Sequence, residues 1–580
     1  MAVTEDLARW KQRAWLAWRA LRTLAFFLAD ERRRGTLGEN VAGIVTGFIR
    51  SRSLELAREM SHAELLEEKA ELHGERPFLY FKDKVFTYRQ MNENAERVAA
   101  LLRSLGGGPG KGLAIMMKNS PRWLDVFFGL QKLGMYGVPV NVALRQDQLA
   151  HIFNNSEARM LVVDHDLLPH YQAVSDRVPA VEVVVVNREG AGEDYQVPEG
   201  VHDLEQAYRG EPPREKAGIP YDPSDICVIM YTSGTTGLAK GVVYRYGASR
   251  VKALSLVGRL LLDPDDIAYT CYPLFHANAL FLTVTEMMHV GGAVALGERF
   301  SASRFWDEVR HYRATTFNGL GAVMPILMKQ PPRPQDRDNR VRFVLSAGCP
   351  AEMWRDFEER FGVRIYEGYG AVDGGSVVIV NLGTAPTGSM GKPIGGRCRV
   401  IDEEGRDVPP GQPGELIYYV GRGKGGVEYY RNSEATSSKV RDGWLYTGDL
   451  VWRDKKGYIY FVGRNTESMR VKGENVSAFE VEQAILKHPD VMECAVYAVP
   501  SELAEDEIMV TLVPVEGRTL DPEGVREFLA DKLAKFAIPR YWRVVPELPK
   551  TETHRVVKKE LERLGVTPDT YDAEKERAGR

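Results

Sequence analysis

Strand-like and helix-like segments alternate along much of this chain, and that alternation most limits the folds open to it. Short apolar runs at residues 113–117, 183–186, 228–230 and 293–296 are separated by longer segments, such as 89–105 and 123–133, with helical periodicity. Regular alternation of this kind is typical of parallel sheets with helical crossovers. The sequence therefore predicts an α/β fold of layered sheets up to about residue 345, with a hairpin at residues 78–88.

The pattern changes twice farther along the chain. Between residues 388 and 463, short strands and turn signals predict a β-rich subdomain. From residue 465 onward, strand, helix and strand recur on a shorter scale, which predicts a compact α+β unit. Because 580 residues exceed what one core usually supports, we predict three parts: an N-terminal segment 1–60, a large domain 61–464 and a small domain 465–580.

Charge and cysteine content exclude several classes of protein. The formal net charge is −4, so the chain as a whole gives no sign of nucleic-acid binding. Its cysteines form no C-x-x-C pair, which argues against a disulfide framework or a zinc site and fits a reducing, cytoplasmic compartment. The cysteines are Cys227, Cys271, Cys349, Cys398 and Cys494.

The first 34 residues predict an amphipathic helix. Apolar residues recur there at three- and four-residue steps, and arginines fall between them. Arg19 and Arg22 interrupt the apolar run, so it is a poor membrane span, and no small-residue cleavage site follows it. Tryptophan and basic residues on one helix suit the plane of a membrane interface, on the cytoplasmic face. Packing on the body of the protein or on a second subunit is the alternative. The apolar positions are Leu7, Trp10, Ala14, Ala17, Leu21, Leu24 and Leu28.

A hydroxyl-rich loop follows the apolar strand at residues 226–230. It combines aliphatic hydroxyls, glycines and Lys240, so backbone N–H groups, hydroxyls and a cation can surround a polyphosphate. It is not the ordinary P-loop, because Ala239 precedes the lysine and Gly241 follows it. A polar surface loop is the alternative, but the density of hydroxyls and glycines favours phosphate binding. The loop residues are Thr232, Ser233, Gly234, Thr235, Thr236 and Gly237.

Two later turns extend this prediction to a nucleotide. Residues 368–371 offer the aromatic face of Tyr369 within flexible backbone, suited to stacking on a purine. The turn at residues 446–449 ends in Asp449, whose carboxylate can accept both hydroxyls of a ribose. Either turn alone is more often an ordinary turn. Their order behind the phosphate loop favours a nucleotide site.

On these motifs, the chain resembles the AMP-forming adenylating superfamily of acyl-CoA synthetases, luciferases and peptide-synthetase adenylation domains, from about residue 60 to about residue 565. Within it, the chain is most similar to the fatty acid transport protein/very-long-chain acyl-CoA synthetase branch. Segments 141–145, 300–306, 330–333 and 472–477 carry that finer resemblance.

The resemblance implies a small domain that is mobile about a hinge near Asn465 and Thr466, with the active site between the domains. It also implies ATP, Mg²⁺ and coenzyme A as cofactors. A medium- to very-long-chain fatty acid first forms acyl-AMP with release of pyrophosphate, and CoA then displaces AMP. Three alternatives remain: a carrier-protein thiol as acceptor, a small carnitine-like acid as substrate, or a lipid-uptake or scaffold protein with weak turnover.

The resemblance also implies roles for individual residues. The loop residues 232–237 and Lys240 would hold the β- and γ-phosphates. His276 would lie near the acyl carboxylate, with a plain polar core histidine as the alternative, and Lys472 would face CoA. The expected nucleoside-binding residues are Gly348, Tyr369, Gly370 and Ala371 for adenine, and Asp449 and Arg464 for ribose.

Two departures from the family pattern affect the chemistry. Where the family usually has Thr-Glu after the aromatic turn, this chain has Val372 and Asp373, so a hydroxyl is lost while a shorter carboxylate remains for Mg²⁺. Where the family has an adenylation lysine, this chain has Arg555. Arginine keeps the charge but not the point geometry of lysine. Three interpretations remain open. Arg555 takes over the role of the adenylation lysine, Lys558 or Lys559 takes that role instead, or adenylation is impaired.

Two apolar stretches, 280–288 and 317–328, are candidate walls of an acyl tunnel. They fit an ordinary hydrophobic core equally well, and the sequence alone does not decide between the two interpretations.

Overall fold

The computed structural model describes residues 60–578, apart from 211–217, 219–220, 233–237, 247–260, 321–322, 350, 371, 375–378, 384, 394–397, 403, 422–425, 465–467, 473, 502–505, 550–555 and 557. The predicted N-terminal amphipathic helix lies outside the described residues. Within them, no helix is both long enough and apolar enough to cross a bilayer.

The described strands, numbered along the chain, are β1 Pro77–Phe81, β2 Lys84–Thr87, β3 Gly112–Met116, β4 Tyr136–Pro139, β5 Ala158–Asp164, β6 Val183–Asn187, β7 His202–Asp203, β8 Ile226–Thr232, β9 Lys240–Arg245, β10 Ile267–Thr270, β11 Ala293–Leu296, β12 Thr316–Leu320, β13 Phe343–Ala347, β14 Arg364–Tyr369, β15 Ile379–Asn381, β16 Lys392–Pro393, β17 Cys398–Ile401, β18 Pro413–Tyr419, β19 Val440–Arg441, β20 Trp444–Arg453, β21 Ile459–Arg464, β22 Ser468–Val471, β23 Glu474–Ser477, β24 Val491–Pro500, β25 Asp506–Pro514, β26 Tyr541–Val544 and β27 Tyr571–Asp572.

The described α-helices are α1 His62–His73, α2 Tyr88–Ser104, α3 Pro121–Gln131, α4 Gln146–Ser156, α5 Leu168–Gln172, α6 Glu286–Val290, α7 Phe305–His311, α8 Val323–Lys329, α9 Ala351–Phe361, α10 Ser433–Lys439, α11 Ala478–Ile485, α12 Pro522–Leu529, α13 Lys558–Leu564 and α14 Ala573–Ala578. Short 3₁₀-helices cover Ser175–Arg177, Leu204–Tyr208 and Lys535–Ala537, and a π-helix covers Asn278–Thr285.

Two large sheets form the body of the described chain. The first has the strand order β16-β15-β14-β13-β12-β10-β11-β1-β2 and is parallel from β14 to β1, with antiparallel edges. The second has the order β7-β6-β5-β3-β4-β8-β9 and is parallel except for β9. Because parallel strands end at the same edge, the loops that follow them converge there. The prediction of an α/β fold of layered sheets is confirmed.

Helices α2 and α3 lie between the two sheets. Nearly all of α3 is buried, and its Phe127 belongs to one hydrophobic cluster with Leu79 of the first sheet and Leu113 of the second. The helix overlaps the predicted segment 123–133 but begins two residues earlier, because Ser120 caps its first turn and Pro121 follows at the position that tolerates proline. This shared core fixes the two sheets, and hence their strand ends, relative to each other.

The rest of the described chain forms smaller sheets. Strands β17–β21 make an antiparallel sheet, as predicted for the β-rich region. Beyond it, β22 and β23 form a hairpin, and β24–β27 form a four-stranded sheet over its own hydrophobic cluster. We call the described residues up to 464 the large lobe and those from 468 onward the small lobe. The division of the chain at residues 60 and 464 stays a prediction.

Candidate active site

Two neighbouring parallel strands bring together the predicted adenine-binding residues. Strands β13 and β14 pair in register at Ser346 and Glu367. Gly348 and Tyr369 each lie two residues farther along, so they stand side by side at the carboxyl ends of their strands. Gly348 has a φ of 95°, a conformation that favours glycine. The structure thus places both residues where a ligand would lie against strand ends.

A buried carboxylate, Glu367, shapes this edge of the site. The backbone N–H of Gly348 donates to its Oε1 at 2.5 Å, and that of Cys349 donates to Oε2 at 3.4 Å. Desolvation raises the pKa of Glu367 to about 7, although these hydrogen bonds oppose the shift. No motif in the sequence predicted a role for Glu367. The available signal was an acidic residue inside a strand just before the aromatic turn.

The predicted adenine and ribose residues are in direct contact. The phenol of Tyr369 donates a hydrogen bond to Oδ2 of Asp449, and Thr447 Oγ1 accepts the Asp449 N–H at 2.9 Å. Asp449 is 5% exposed, and burial raises the pKa of Tyr369 far above its ordinary value. Asp449 also pairs with Arg464 across β20 and β21. The structure therefore brings both candidate ribose residues to one place on the β-rich sheet.

The strands that flank the phosphate loop are paired at its base. Thr232 ends β8 and Lys240 begins β9, and the two residues are register partners across the antiparallel pair. Residues 233–237 lie outside the described residues. Burial lowers the pKa of Lys240, the nearby charge of Lys439 lowers it further, and Asp373 opposes both.

A charge cluster surrounds Lys240. Its Nζ lies 5.5 Å from the ring centroid of Tyr429, and Tyr429 donates a hydrogen bond of 2.6 Å to Oδ2 of Asp373. Lys439 Nζ lies 2.9 Å from the same oxygen and donates to the carbonyl of Thr447 at 3.2 Å. Lys439 therefore joins the phosphate side of the site to the Asp449 turn. The sequence analysis missed both Tyr429 and Lys439, which carry no motif of their own.

Asp373 fits a limited role in holding Mg²⁺. Within the described residues there is no group of three or more His, Cys, Asp or Glu side chains that could hold a metal ion. Magnesium in nucleotide sites is usually held by one or two carboxylates together with phosphate oxygens and water. A single carboxylate therefore suffices if the polyphosphate supplies the other ligands.

The Val372 departure has a structural explanation. Its carbonyl oxygen accepts a hydrogen bond of 2.9 Å from the phenol of Tyr244. Its side chain packs against two hydrophobic clusters of the large lobe. Val372 thus contributes its backbone and an apolar contact where the family pattern has a hydroxyl.

His276 lies at the contact between the two lobes. Its Nε2 is 2.8 Å from Oε2 of Glu474, in the β22–β23 hairpin of the small lobe. Lys472 occupies the turn of that hairpin, with a φ of 50°, and its Nζ is 3.4 Å from Glu574 within the small lobe. The hairpin predicted to face CoA therefore reaches the large lobe beside His276.

Several predicted site residues lie outside the described residues, in whole or in part. Arg555, Ala371 and the loop 233–237 are not described, and only the backbone of Arg464 is. Their roles stay predictions, as do the roles of the described site residues.

Two models of known protein families match this chain. Residues 66–424 match the model of the AMP-binding enzyme family, and residues 480–555 match that of the AMP-binding enzyme C-terminal domain. This chain belongs to the AMP-binding enzyme family. The resemblance inferred from the motifs is thereby confirmed at family level. The fatty acid transport protein branch stays a prediction.

Relatives of this AMP-binding enzyme align over most of its length. The crotonobetaine/carnitine–CoA ligase of Salmonella typhimurium is 30% identical over 518 residues, which cover 86% of this chain and 98% of the relative. The o-succinylbenzoate–CoA synthetase of Bacillus subtilis superposes with a TM-score of 0.73 at 21% identity, covering 88% and 99%. ATP-bound MatB from Rhodopseudomonas palustris superposes with a TM-score of 0.60 at 25% identity, covering 87% and 98%.

Family and fold agree with the arrangement of the site. The chain is an AMP-forming acid–CoA ligase that uses ATP, Mg²⁺ and CoA. The identity of its acid and the roles of its individual residues are not given by the family.

Proposed function

We propose that this ligase activates a medium- to very-long-chain fatty acid as acyl-AMP, with release of pyrophosphate, and then transfers the acyl group to CoA. The observation that carries the ligase chemistry is the network of contacts that joins Tyr369 and Asp449 to Lys439 and Lys240. Apolar side chains follow His276 along the π-helix Asn278–Thr285. Most of them are packed in the core, and an alkyl chain that reached this helix would meet the apolar surroundings that it prefers.

The proposed chemistry needs charge neutralisation first. A carboxylate oxygen of the acid attacks the α-phosphorus, so a new oxygen–phosphorus bond forms and the bond from the α-phosphorus to pyrophosphate breaks. Both reactants are anions, so cations beside the phosphates lower the barrier. Lys240 and Lys439 would supply that charge, and Asp373 would hold Mg²⁺, which would add further positive charge beside the phosphates. Tyr369 and Asp449 would orient the nucleoside, which makes the attack effectively intramolecular.

Pyrophosphate release across a panel of carboxylic acids tests this proposal. We expect release that requires the acid and rises with chain length from C4 to C16, because each buried methylene adds about 0.8 kcal/mol of binding. Adding CoA should then yield the thioester. Nucleotide binding without pyrophosphate release for any acid would favour the lipid-uptake or scaffold alternative. Faster turnover with a carrier-protein thiol than with CoA would identify the carrier protein as the acyl acceptor.

A second candidate acid is small and polar. Asn318 Nδ2 donates to Asn278 Oδ1 at 3.0 Å and to Thr283 Oγ1 at 3.1 Å, so a cluster of polar side chains joins the π-helix to the middle of β12. Leu280 and Met287 are fully buried in the large core cluster. The curated relatives at 30% identity act on crotonobetaine and carnitine. Turnover of a short zwitterionic acid above that of C12 or C16 acids in the same panel would favour this candidate.

We also propose that the N-terminal segment attaches the enzyme to the cytoplasmic face of a membrane. The support is the pattern of tryptophans and arginines before residue 35. Sedimentation with anionic vesicles checks it: the full chain should pellet, and a chain lacking residues 1–34 should remain in the supernatant. Equal sedimentation of the two would exclude this segment as the anchor.

A further inference from the structure

One residue beside the phosphate loop, Ala239, is held by both lobes through the two peptide groups that flank it. The carbonyl oxygen of Ala239 lies 2.8 Å from Nε2 of His151, on helix α4 of the large lobe. The N–H of the same residue donates to the carboxylate of Glu480, on helix α11 of the small lobe. Ala239 immediately precedes Lys240. A constraint on Ala239 is therefore passed to Lys240, the lysine at the base of the phosphate loop.

Glu480 makes a second contact across the same interface. Gln148 Nε2 donates to its Oε2 at 3.1 Å. Gln148 and His151 are three residues apart on α4, so they lie on one face of that helix. The face that receives the small lobe is thus also the face that holds the Ala239 carbonyl. Neighbouring contacts support the docking: Asp147 pairs with Lys487, and Ala143 packs against the small-lobe core.

We propose that Glu480 is a positioning residue that couples docking of the small lobe to Ala239 and Lys240. When the small lobe adopts the docked arrangement, Glu480 takes the Ala239 N–H and fixes the start of β9 with Lys240. When the small lobe leaves, that N–H is released. This inference rests on the proposed two-step function, because it assigns the docked arrangement to the step in which the Glu474 hairpin lies beside His276.

The carboxylate suits a contact that must form and break. Burial raises the pKa of Glu480 to about 7, against the hydrogen bonds from Ala239 and Gln148. The lobe-to-lobe contact therefore binds a proton more tightly than the free small lobe does. Docking is strongest below the ordinary pKa of the group and weakens as pH rises toward 7. Among the described residues, the other titratable and charged groups at this face are His151 and Asp147, and Asp147 pairs with both Lys487 and Arg177.

Half-reaction kinetics with three variants test the proposal. For Glu480→Ala we expect pyrophosphate release within twofold of wild type and thioester formation from supplied acyl-AMP lowered at least tenfold. Glu480→Gln keeps an acceptor for the Ala239 N–H, so it should recover most of the thioester rate. The ratio of wild-type to Gln-variant rates should fall between pH 5.5 and 7.5, and the ionisation of CoA cancels in that ratio. Lys487→Ala breaks an exposed pair at the same interface and should change both half-reactions less than threefold.

Amide hydrogen exchange in the absence of substrates gives a readout that does not depend on activity. We expect peptides that contain Ala239 to exchange at least fivefold faster in Glu480→Ala than in wild type or Lys487→Ala. Unchanged exchange there, or equal losses in both half-reactions, would overturn the proposal. If wild type shows the exchange difference from Glu480→Ala but forms no acyl-AMP from any acid, the proposed function fails while the coupling stands.

Discussion

At the scale of single residues, Glu367 links the nucleotide edge of the site to the stability of the large lobe. Its side chain is 4% exposed, and burial raises its pKa from 4.5 to about 7. A folded state with the higher pKa binds the proton more tightly than the unfolded chain. The contribution of Glu367 to the free energy of unfolding is therefore complete below pH 4.5 and is lost as pH rises through 7. The difference corresponds to at most about 3 kcal/mol.

This linkage gives a prediction for Glu367→Gln. Between pH 5 and pH 8, the free energy of unfolding of the wild type should fall relative to that of the variant by about 1–3 kcal/mol, because the amide cannot ionise. Urea unfolding followed by tryptophan fluorescence at several pH values measures it. Glu404→Gln, at an exposed turn, serves as the control and should follow the wild type. Parallel pH curves for wild type and Glu367→Gln would show that the burial effect is absent.

At the scale of helices and strands, the features that can be read from the sequence are those that depend on residues close together in the chain, such as helix caps and short motifs. Helix α2 begins after Thr87, whose hydroxyl accepts the N–H of Gln90, while the Gln90 side chain accepts the Thr87 N–H. This reciprocal cap spans three residues, so it is legible in the sequence. The motif residues of the site were identified in the same way, from short runs that match a known family.

Contacts between distant elements were beyond the sequence analysis. Tyr429 and Asp373 are 56 residues apart, and Gln148 and Glu480 are 332 residues apart. A hydrophobic pattern tells which face of an element is buried but not which element covers it. For the same reason the stretch 280–288 fitted a tunnel wall and a core equally. The sequence could not separate the two, because core packing and an acyl chain both select apolar side chains. In the structure, Leu280, Met287 and Met288 of this stretch are core residues.

At the scale of the whole molecule, the small lobe has two predicted catalytic segments, the hairpin with Lys472 and the segment with Arg555. The hairpin is the one that the structure shows against the large lobe. The hairpin that carries Lys472 and Glu474 contacts the large lobe at His276. Two-step chemistry in one site requires different small-lobe groups at different times, since acyl-AMP formation needs a cation at the α-phosphate and thioester formation needs room for a thiol. Substitutions in the two small-lobe segments should therefore separate the half-reactions.

Arg555 and Lys472 provide the matched pair for that separation. Arg555→Ala should lower acyl-AMP formation by roughly 100-fold, the size of effect seen when one transition-state donor is removed, and leave thioester formation from supplied acyl-AMP within threefold. Lys472→Ala should show the opposite pattern, because its turn would meet CoA rather than ATP. Single-turnover pyrophosphate release and thioester assays measure the two steps separately. Arg555→Lys should retain activity if charge alone matters and lose it if two-pronged contact with oxygens is required. An equal loss in both steps, or none, would remove Arg555 from adenylation and leave Lys558 or Lys559 as the residue to test.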